Sequence, residues 1–237
     1  MGQGPGQGGR GGADRTGYPA RSDGQPIALE ARGETVDGRR YSPSVARNCE
    51  PIGDVLTGWI SAHKHVLEIA SGTGEHGVHL TQRFPNLTWT YSDIDADSRT
   101  SQLAWAASAG HGRLLGPLSL NMQERDWPTQ AGGPYGAVYC ANMIHIAPFT
   151  ACEGLFSGAG QVLKAGASLL LYGPFARGGT LAPSNAAFDE SLKSRDPSWG
   201  VRDLDDQLVP LATSRGFELD EVRTMPANNL LVRFLSV

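Results

Sequence analysis

The feature that most constrains the fold is an alternation of β-rich runs with helical segments through the middle of the chain. The β-rich runs are residues 65–70, 87–91, 113–120, 137–141 and 168–172. Helical periodicity predicts helices between them at residues 75–84, 97–109 and 151–163. Strands that alternate with helices of this length are typical of parallel βαβ units. The sequence therefore predicts an α/β fold with a doubly wound, mostly parallel sheet.

The last third of the chain departs from this alternation. After the fifth β-rich run, helices are predicted at residues 184–193 and 205–215. Two extended runs follow, at residues 217–225 and 230–235, and the residues between them form a short connection. Two neighbouring runs with so short a connection indicate an antiparallel pair at the end of the chain.

A further helix is predicted ahead of the first strand. Ile52, Val55 and Leu56 fall on one helical face. Pro51 suits the first position of that helix, because proline has no N–H and the first turn needs none. Polar residues are grouped just before this start, which is compatible with a solvated helix terminus.

The first forty residues differ in composition from the rest. They contain eleven of the 31 glycines, and their apolar residues show no period. Such a segment cannot bury enough apolar surface to offset roughly 1–2 kcal/mol of backbone entropy per ordered residue. We therefore expect a mobile tail over residues 1–40 and one domain over residues 41–237. A Gly/Arg nucleic-acid-binding segment is the alternative, but the tail has no repeated Arg-Gly-Gly unit.

Composition and charge argue against several classes of function. The formal net charge of −4 gives no general attraction to nucleic acid. No apolar run approaches the roughly 18–20 residues needed to cross a bilayer, and no secretory signal pattern is present. Cys49, Cys140 and Cys152 are scattered, and His76 and His79 have no partner at metal-binding spacing. We expect a cytoplasmic protein that does not bind nucleic acid, membrane or metal.

The candidate chemistry is concentrated after the first predicted strand. Residues 68–77 read EIASGTGEHG, so glycines stand where the strand gives way to a helix. In open α/β sheets ligands bind outside the carboxyl ends of the strands. Asp93 or Asp95 follows the second strand, about twenty residues beyond the loop, as in nucleotide-binding sheets. A carboxylate at that position can accept hydrogen bonds from both ribose hydroxyls of a nucleoside.

Two ligands compete for this loop. Gly72, Gly74 and Gly77 satisfy the dinucleotide pattern G-x-G-x-x-G, which is a weak signal by itself. A pyrophosphate requires a helix N-terminus without negative charge, whereas Glu75 lies in that first turn. S-adenosylmethionine carries a sulfonium and an ammonium, so Glu68 and Glu75 favour it. The third possibility is a structural turn with no small ligand.

The same residues resemble a known family. The run LEIASGTG, residues 67–74, is similar to the first motif of class I methyltransferases, with Ala70 where that superfamily usually has its first glycine. More specifically, the chain resembles the methyltransferase-like protein 26 family. The resemblance rests on residues 44–51, 67–76, 92–95, 141–146, 172–175, 195–200 and 225–229. It implies a Rossmann-like sheet with an antiparallel C-terminal strand and S-adenosylmethionine as cofactor, leaving S-adenosylhomocysteine as product.

The resemblance also implies cofactor contacts. They include Glu68 and the loop residues Ala70, Ser71, Gly72 and Gly74, with Asp93 at the ribose. Asn121 and Met122 follow the third strand, where the superfamily places an acid or amide beside the adenine amino group. The family usually has Asp at position 121, and an amide can still accept that hydrogen bond. Arg47 and Asn48 would belong to an active-site lid, with Arg47 a candidate for the cofactor carboxylate.

Candidate catalytic residues follow the fourth and fifth strands. His145 could accept a proton at neutral pH, or it could only cap a helix or bond to backbone. Asn142 could orient the acceptor or the methionine end of the cofactor. Tyr172 and Phe175 could face the sulfonium, and Tyr172 could equally be core. Three arginines in the region after the fifth strand would indicate an acidic acceptor if two of them converged, namely Arg177, Arg195 and Arg202.

The sequence thus predicts transfer of a methyl group to nitrogen or oxygen, less readily sulfur, of a small polar metabolite. The absence of a basic tract favours a small acceptor over nucleic acid. Two other hypotheses stay open at this point. One is a dinucleotide-dependent oxidoreductase, and the other is a protein that binds the cofactor without catalysing a reaction.

Overall fold

The computed structural model describes residue 1 together with residues 33–60 and 65–237. A short hairpin comes first, β1 (Gly33–Glu34) and β2 (Arg40–Tyr41). The other strands are β3 (His65–Ile69), β4 (Thr88–Ser92), β5 (Leu114–Leu118), β6 (Tyr135–Ala141), β7 (Leu163–Pro174), β8 (Phe217–Met225) and β9 (Asn229–Ser236). The helices are α1 (Pro43–Trp59), α2 (Glu75–Arg83), α3 (Ala96–Ala109), α4 (Trp127–Ala131), α5 (Phe149–Val162), α6 (Pro183–Arg195) and α7 (Val209–Ser214).

Strands β3 to β9 form one sheet in the order β5-β4-β3-β6-β7-β9-β8. Neighbours from β5 to β7 pair in parallel, and β9 pairs antiparallel with both β7 and β8. The predicted α/β class, the doubly wound sheet and the antiparallel last strand are therefore confirmed. The chain winds outward from β3 to β5 and then returns to β6, so the topological switch point lies between β3 and β6.

Apolar side chains cover both faces of the sheet. Val66 belongs to one buried cluster and Leu67 to the other, because successive side chains of a strand point to opposite faces. Trp89 and Tyr139 lie in the first cluster with α1 and α2, whereas the second cluster contains much of α5. This burial on both faces explains the nearly continuous apolar runs of the central strands.

The predicted start of the first helix is wrong. Helix α1 begins at Pro43, and the Ser42 hydroxyl caps it by accepting a hydrogen bond from Val45 N at 3.3 Å. Pro51 lies inside the helix, where its missing N–H removes the bond to the carbonyl of Arg47. Proline fits both the first turn and some interior positions, and the serine and proline at positions 42 and 43 were the signal for the true start.

The predicted tail and the last predicted helix also differ from the structure. Residues 2–32 of the tail lie outside the described residues, but residues 33–41 form the hairpin. This hairpin is fixed to α3, since Ser101 Oγ accepts a hydrogen bond from Arg40 N at 2.9 Å and Trp105 Nε1 donates to Arg40 O at 3.0 Å. The helix predicted at residues 205–215 begins as a π-helical turn, Leu204–Leu208, before α7.

Candidate functional site

A cavity of about 300 Å³ opens at the carboxyl edge of the sheet. The residues that line it follow four strands of the parallel part, β3, β4, β5 and β6, and they are joined by two residues that follow α6. They are Ile69, Ala70, Ile94, Leu120, Asn121, Met122, Gln123, Met143, Ile146, Ala147, Pro148, Ala151, Asp196 and Trp199. A second cavity of about 270 Å³ lies near the start of β3 and contains none of the predicted site residues.

The loop between β3 and α2 has a left-handed backbone at three positions. The φ angles are 54° at Ala70, 57° at Gly72 and 93° at Gly74. Alanine at such a φ carries strain that glycine would not. Two side chains of α3 hold the loop from behind: Gln102 Nε2 donates to Gly72 O at 3.0 Å, and Ser101 Oγ donates to Thr73 O at 2.7 Å. The loop is therefore held in shape by α3.

Asp93 joins the loop after β3 to the loop after β4. One carboxylate oxygen accepts a hydrogen bond from Gly72 N at 2.9 Å, and the other accepts one from Asp95 N at 2.9 Å. Ile94, its neighbour in sequence, lines the cavity. A carboxylate has about four acceptor positions, so it can accept hydrogen bonds from more than one group at a time.

Of the two acids that follow β4, Asp95 has a structural task. Its carboxylate caps α3, accepting hydrogen bonds from Ser98 N at 2.9 Å and from Ser98 Oγ at 2.7 Å. The choice between Asp93 and Asp95 as the candidate ribose ligand, which the sequence left open, therefore favours Asp93.

Asn121 and Met122 both line the cavity, as the resemblance implied for an adenine subsite. The side-chain oxygen of Asn121 accepts a hydrogen bond from Gln123 N at 3.0 Å. Its amide nitrogen donates to Glu124 at 3.4 Å, a long bond. Asn121 therefore helps to fix the turn after β5 at the cavity wall.

Glu68 faces away from this cavity. Its carboxylate is 1% exposed, accepts a hydrogen bond from Trp89 Nε1 at 2.8 Å and lies 3.7 Å from His76 Nδ1. Burial raises the pKa of Glu68 to about 8 and lowers the pKa of His76 to about 4. At neutral pH both groups are therefore uncharged, and the 3.7 Å approach is not an ion pair. Glu68, a predicted cofactor contact, is not among the residues that line the cavity.

Glu75 connects the start of α1 to the glycine loop. One of its carboxylate oxygens accepts hydrogen bonds from Ser42 N and from Thr73 Oγ1, each at 2.7 Å. The carboxylate also lies in the first turn of α2, where it complements the positive end of the helix dipole. A pyrophosphate at this helix N-terminus would meet that negative charge.

His145, the predicted base, is buried beneath the segment that follows α6. Its side chain is fully buried, and Nδ1 accepts a hydrogen bond from Arg202 N at 3.2 Å. Burial, followed by the charge of Arg202, lowers the pKa of His145 to about 3. Nε2 therefore carries the proton, and it is buried without a hydrogen-bond partner among the described residues. Burial thus disfavours the protonated form of the imidazole.

Asn142 and Tyr172 meet at the ends of β6 and β7. Asn142 has a left-handed φ of 63°, and its backbone N donates to Tyr172 O at 2.8 Å. The Tyr172 hydroxyl accepts a hydrogen bond from Asn229 Nδ2 at 2.9 Å. Burial raises the pKa of Tyr172 to about 12, against the nearby positive charge of Arg47. Tyr172 is therefore a neutral hydroxyl at physiological pH.

The remaining predicted residues are spread around this edge. Arg47 is exposed and Asn48 half-buried, and both lie within the first two turns of α1 rather than before a helix. Phe175 is buried, with its ring centre 5.1 Å from that of His145. Of the three arginines, Arg177 binds Asp205 at 2.8 Å, and Arg202 donates to backbone carbonyls. Arg177 and Arg202 therefore do not converge on a common binding site for an acidic acceptor.

Most of the lining residues were not singled out by the sequence reasoning, and two of them come from a distant segment. Asp196 and Trp199 come from the segment after α6, yet they line the same cavity as Ile94 and Met122. The run RDPSWG at residues 195–200 was noted for its resemblance, but no local pattern connects it to a loop more than a hundred residues earlier. Only the tertiary fold brings them together.

Within the described parts of the chain, no group of three His, Cys, Asp or Glu side chains is arranged to hold a metal ion. The same parts contain no helix with the length and apolar character of a membrane span. Cys49, Cys140 and Cys152 are all buried free thiols.

A family model matches residues 39–236, and its description is "Protein of unknown function (DUF938)". The match spans strand β2, the whole seven-stranded sheet and every residue that lines the cavity. The chain belongs to this family.

Solved structures share the fold. The chain is similar to an O-methyltransferase family protein from Burkholderia thailandensis, with a TM-score of 0.68, 16% identity and coverage of 81% of this chain and 57% of that one. An O-methyltransferase family 2 protein from Planctomyces limnophilus, solved with apigenin, is similar with a TM-score of 0.67 and 16% identity. The match covers 82% of this chain and 59% of that one. Human N-acetylserotonin methyltransferase, solved with S-adenosylmethionine, is similar with a TM-score of 0.63 and 13% identity. The match covers 78% of this chain and 51% of that one. The chain thus spans little more than half of these proteins, and the likeness concerns the fold.

Proposed function

We propose that this protein is a class I S-adenosylmethionine-dependent methyltransferase that acts on nitrogen or oxygen, less readily sulfur, of a small polar metabolite. The observation that carries the proposal is the position of Asp93. Its carboxylate is bonded to the glycine-loop amide of Gly72, and the next residue in sequence, Ile94, lines the cavity. A nucleoside ligand requires this combination of ribose acceptor, close backbone and apolar cavity.

The cofactor would be held by four groups of residues. Asp93 would accept the ribose hydroxyls, and Asn121 and Met122 would border the adenine. The backbone of residues 70–74 would border the methionine end. The residues assigned to the lid and to the strand ends would complete that part of the site, namely Arg47, Asn48 and Asn142.

The chain's own contribution to the chemistry is positioning and exclusion of water. Bound S-adenosylmethionine supplies an electrophilic methyl group on a positively charged sulfur. Alignment of the attacking atom with that methyl group lowers the activation barrier. For well-oriented reactants this effect is in general worth about 7–11 kcal/mol. The Tyr172 hydroxyl, neutral because of its raised pKa, can donate a hydrogen bond to an acceptor but cannot serve as its base. A base is needed only for an acceptor that arrives protonated.

Several features support the assignment of S-adenosylmethionine as the cofactor and of the cytoplasm as the location. The resemblance to the methyltransferase-like protein 26 family rests on motifs around the cavity, including residues 67–74 and 195–200. The solved proteins of the same fold include one bound to S-adenosylmethionine. Free buried cysteines accord with a cytoplasmic protein.

Calorimetry with S-adenosylmethionine, S-adenosylhomocysteine and NAD is the first test. We expect the two sulfur nucleosides to bind and NAD to bind at least about a hundredfold more weakly. Binding of NAD alone would favour the oxidoreductase and reject the proposal. Tight S-adenosylhomocysteine binding with no turnover on a broad acceptor panel would favour the non-catalytic binding protein.

The acceptor can be found by metabolite profiling with an isotopically labelled methyl donor. The wild-type protein and an Asp93→Ala variant are incubated with the same metabolite extract. We expect a product that gains label only with the wild-type protein. Equal labelling by both proteins would show that the product does not come from this site.

A further inference from the structure

Residues 196–203, between α6 and the π-helical turn, form one wall of the cavity, and we call them the strap. Asp196 and Trp199 of the strap line the cavity together with Ile94 and Met122. Trp199 is 3% exposed, so its indole is fixed by packing and is not a mobile surface group. The strap therefore belongs to the candidate cofactor site, although it is remote from the glycine loop in sequence.

Arg202 fastens the strap to the loop that follows β6. Its buried guanidinium donates to Ile144 O at 2.9 Å and to Ala147 O at 2.6 Å, and it also donates to Ser198 O at 2.9 Å within the strap. Ala147 lines the cavity. A guanidinium whose donors bond to fixed carbonyls holds both segments in one geometry.

His145 contributes to the same attachment. Gly200 N donates to His145 O at 2.9 Å, and Arg202 N donates to His145 Nδ1 at 3.2 Å. On its other side the strap is fixed to α6, because Asp189 Oδ1 accepts a hydrogen bond from Val201 N at 2.8 Å. The wall formed by Asp196 and Trp199 is therefore rigid before any ligand arrives.

The two strap residues offer different surfaces to a ligand. The indole of Trp199 is a flat apolar surface. Asp196 Oδ1 accepts hydrogen bonds from Ser198 N at 2.8 Å and from Ser198 Oγ at 2.6 Å. No hydrogen bond or ion pair occupies Oδ2 among the residues that the structure describes. An aromatic face beside a carboxylate oxygen matches a purine ring that carries an amino group.

We infer that the strap reads the nucleobase of the cofactor: Trp199 packs against the purine, and Asp196 Oδ2 accepts a hydrogen bond from the exocyclic amine. The inference rests on the proposed function. Asp196 is thus a specificity-determining residue for adenosine. A carboxylate repels the carbonyl oxygen that hypoxanthine carries at the same position, so the site excludes an inosyl analogue.

Calorimetry with S-adenosylhomocysteine and S-inosylhomocysteine tests the role of Asp196. The wild-type protein should prefer the adenosyl compound by at least about tenfold. In Asp196→Asn the preference should fall to within about threefold, because an amide can both donate and accept. Asp206→Asn, the same charge change at an exposed position nearby, should keep the wild-type preference. An unchanged preference in Asp196→Asn overturns the inference.

Fluorescence tests the role of Trp199 separately. S-adenosylhomocysteine should quench the emission of the wild-type protein and of Trp59→Phe, since Trp59 lies outside the cavity and bonds to Glu221. Trp199→Phe should lose most of that quenching and bind several-fold more weakly. Full quenching in Trp199→Phe overturns the contact. If the wild-type protein binds neither nucleoside, the proposed function itself fails.

Discussion

Asp93 accepts a hydrogen bond from the backbone amide of Gly72 at 2.9 Å, which connects the acid after β4 directly to the glycine loop after β3. One carboxylate thus shapes the loop and directly precedes Ile94, which lines the cavity. The first prediction follows from this double position.

Asp93→Ala should weaken S-adenosylhomocysteine affinity by at least about tenfold, because the carboxylate accepts two ribose hydroxyls in the proposed complex. Calorimetry measures the affinity, and thermal unfolding checks that the variant is folded. Asp95→Asn is the matched control, since asparagine caps a helix as well as aspartate does. Wild-type affinity in Asp93→Ala would reject the ribose assignment.

Gly77 is required by packing. A Cβ at this position would lie 2.4 Å from Cε1 of Tyr91, whose hydroxyl is fixed on Gly74 O at 2.7 Å. Gly77→Ala should therefore reduce the free energy of unfolding by about 1–3 kcal/mol, measured by urea denaturation.

Gly58→Ala is the control for Gly77→Ala. Gly58 is an exposed residue of α1, and among the described residues no atom outside its own stretch of helix lies within 4 Å of a Cβ placed there. The substitution should raise the free energy of unfolding by about 0.5–1 kcal/mol, because alanine is the better helix former. If both variants changed stability in the same direction, the steric explanation for Gly77 would be wrong.

Because of the buried Glu68 carboxyl group, the free energy of unfolding should fall as the pH rises above neutral. The pKa of Glu68 is raised from 4.5 to about 8 by burial, so between these values the folded protein holds a proton that the unfolded chain has lost. The stability associated with this proton is lost as the pH rises through the folded pKa. Between pH 6.5 and 8.5 the free energy of unfolding should fall by about 2 kcal/mol on this account.

Urea denaturation of the wild type and of Glu68→Gln at these two pH values isolates the contribution. The lowered pKa values of His76 and His145, about 4 and about 3, act in the opposite direction and mainly below this window, since their unfolded pKa is 6.5. Equal pH dependence in the two proteins would show that Glu68 is ionised in the folded state.

His145 should remain neutral down to pH 5, with the proton on Nε2. Its Nδ1 accepts from Arg202 N, and burial lowers its pKa to about 3. Heteronuclear NMR of the imidazole, assigned by comparison with His145→Gln, should show one tautomer and no titration between pH 5 and 8. A midpoint near 6.5 would restore His145 as a candidate base.

The hydrophobic periods of the sequence determined the sheet, most of its helices and the loop between β3 and α2. These periods are local, because a strand buried on both faces and a helix with one apolar face each leave their pattern within ten or fifteen residues. The same reasoning placed Asp93 and Asn121 at the carboxyl edge of the sheet. It misplaced the start of α1 and gave no sign of the short helix α4.

Only the tertiary structure decided which polar groups face the cavity. Glu68 and Ala70 are two residues apart in sequence, yet the carboxylate of Glu68 is buried against Trp89 while Ala70 lines the cavity. His145 Nδ1 is occupied because the strap, more than fifty residues later, donates a hydrogen bond to it. Burial and hydrogen-bond partners set the charge of such groups, and both depend on segments that are distant in sequence and meet only after folding.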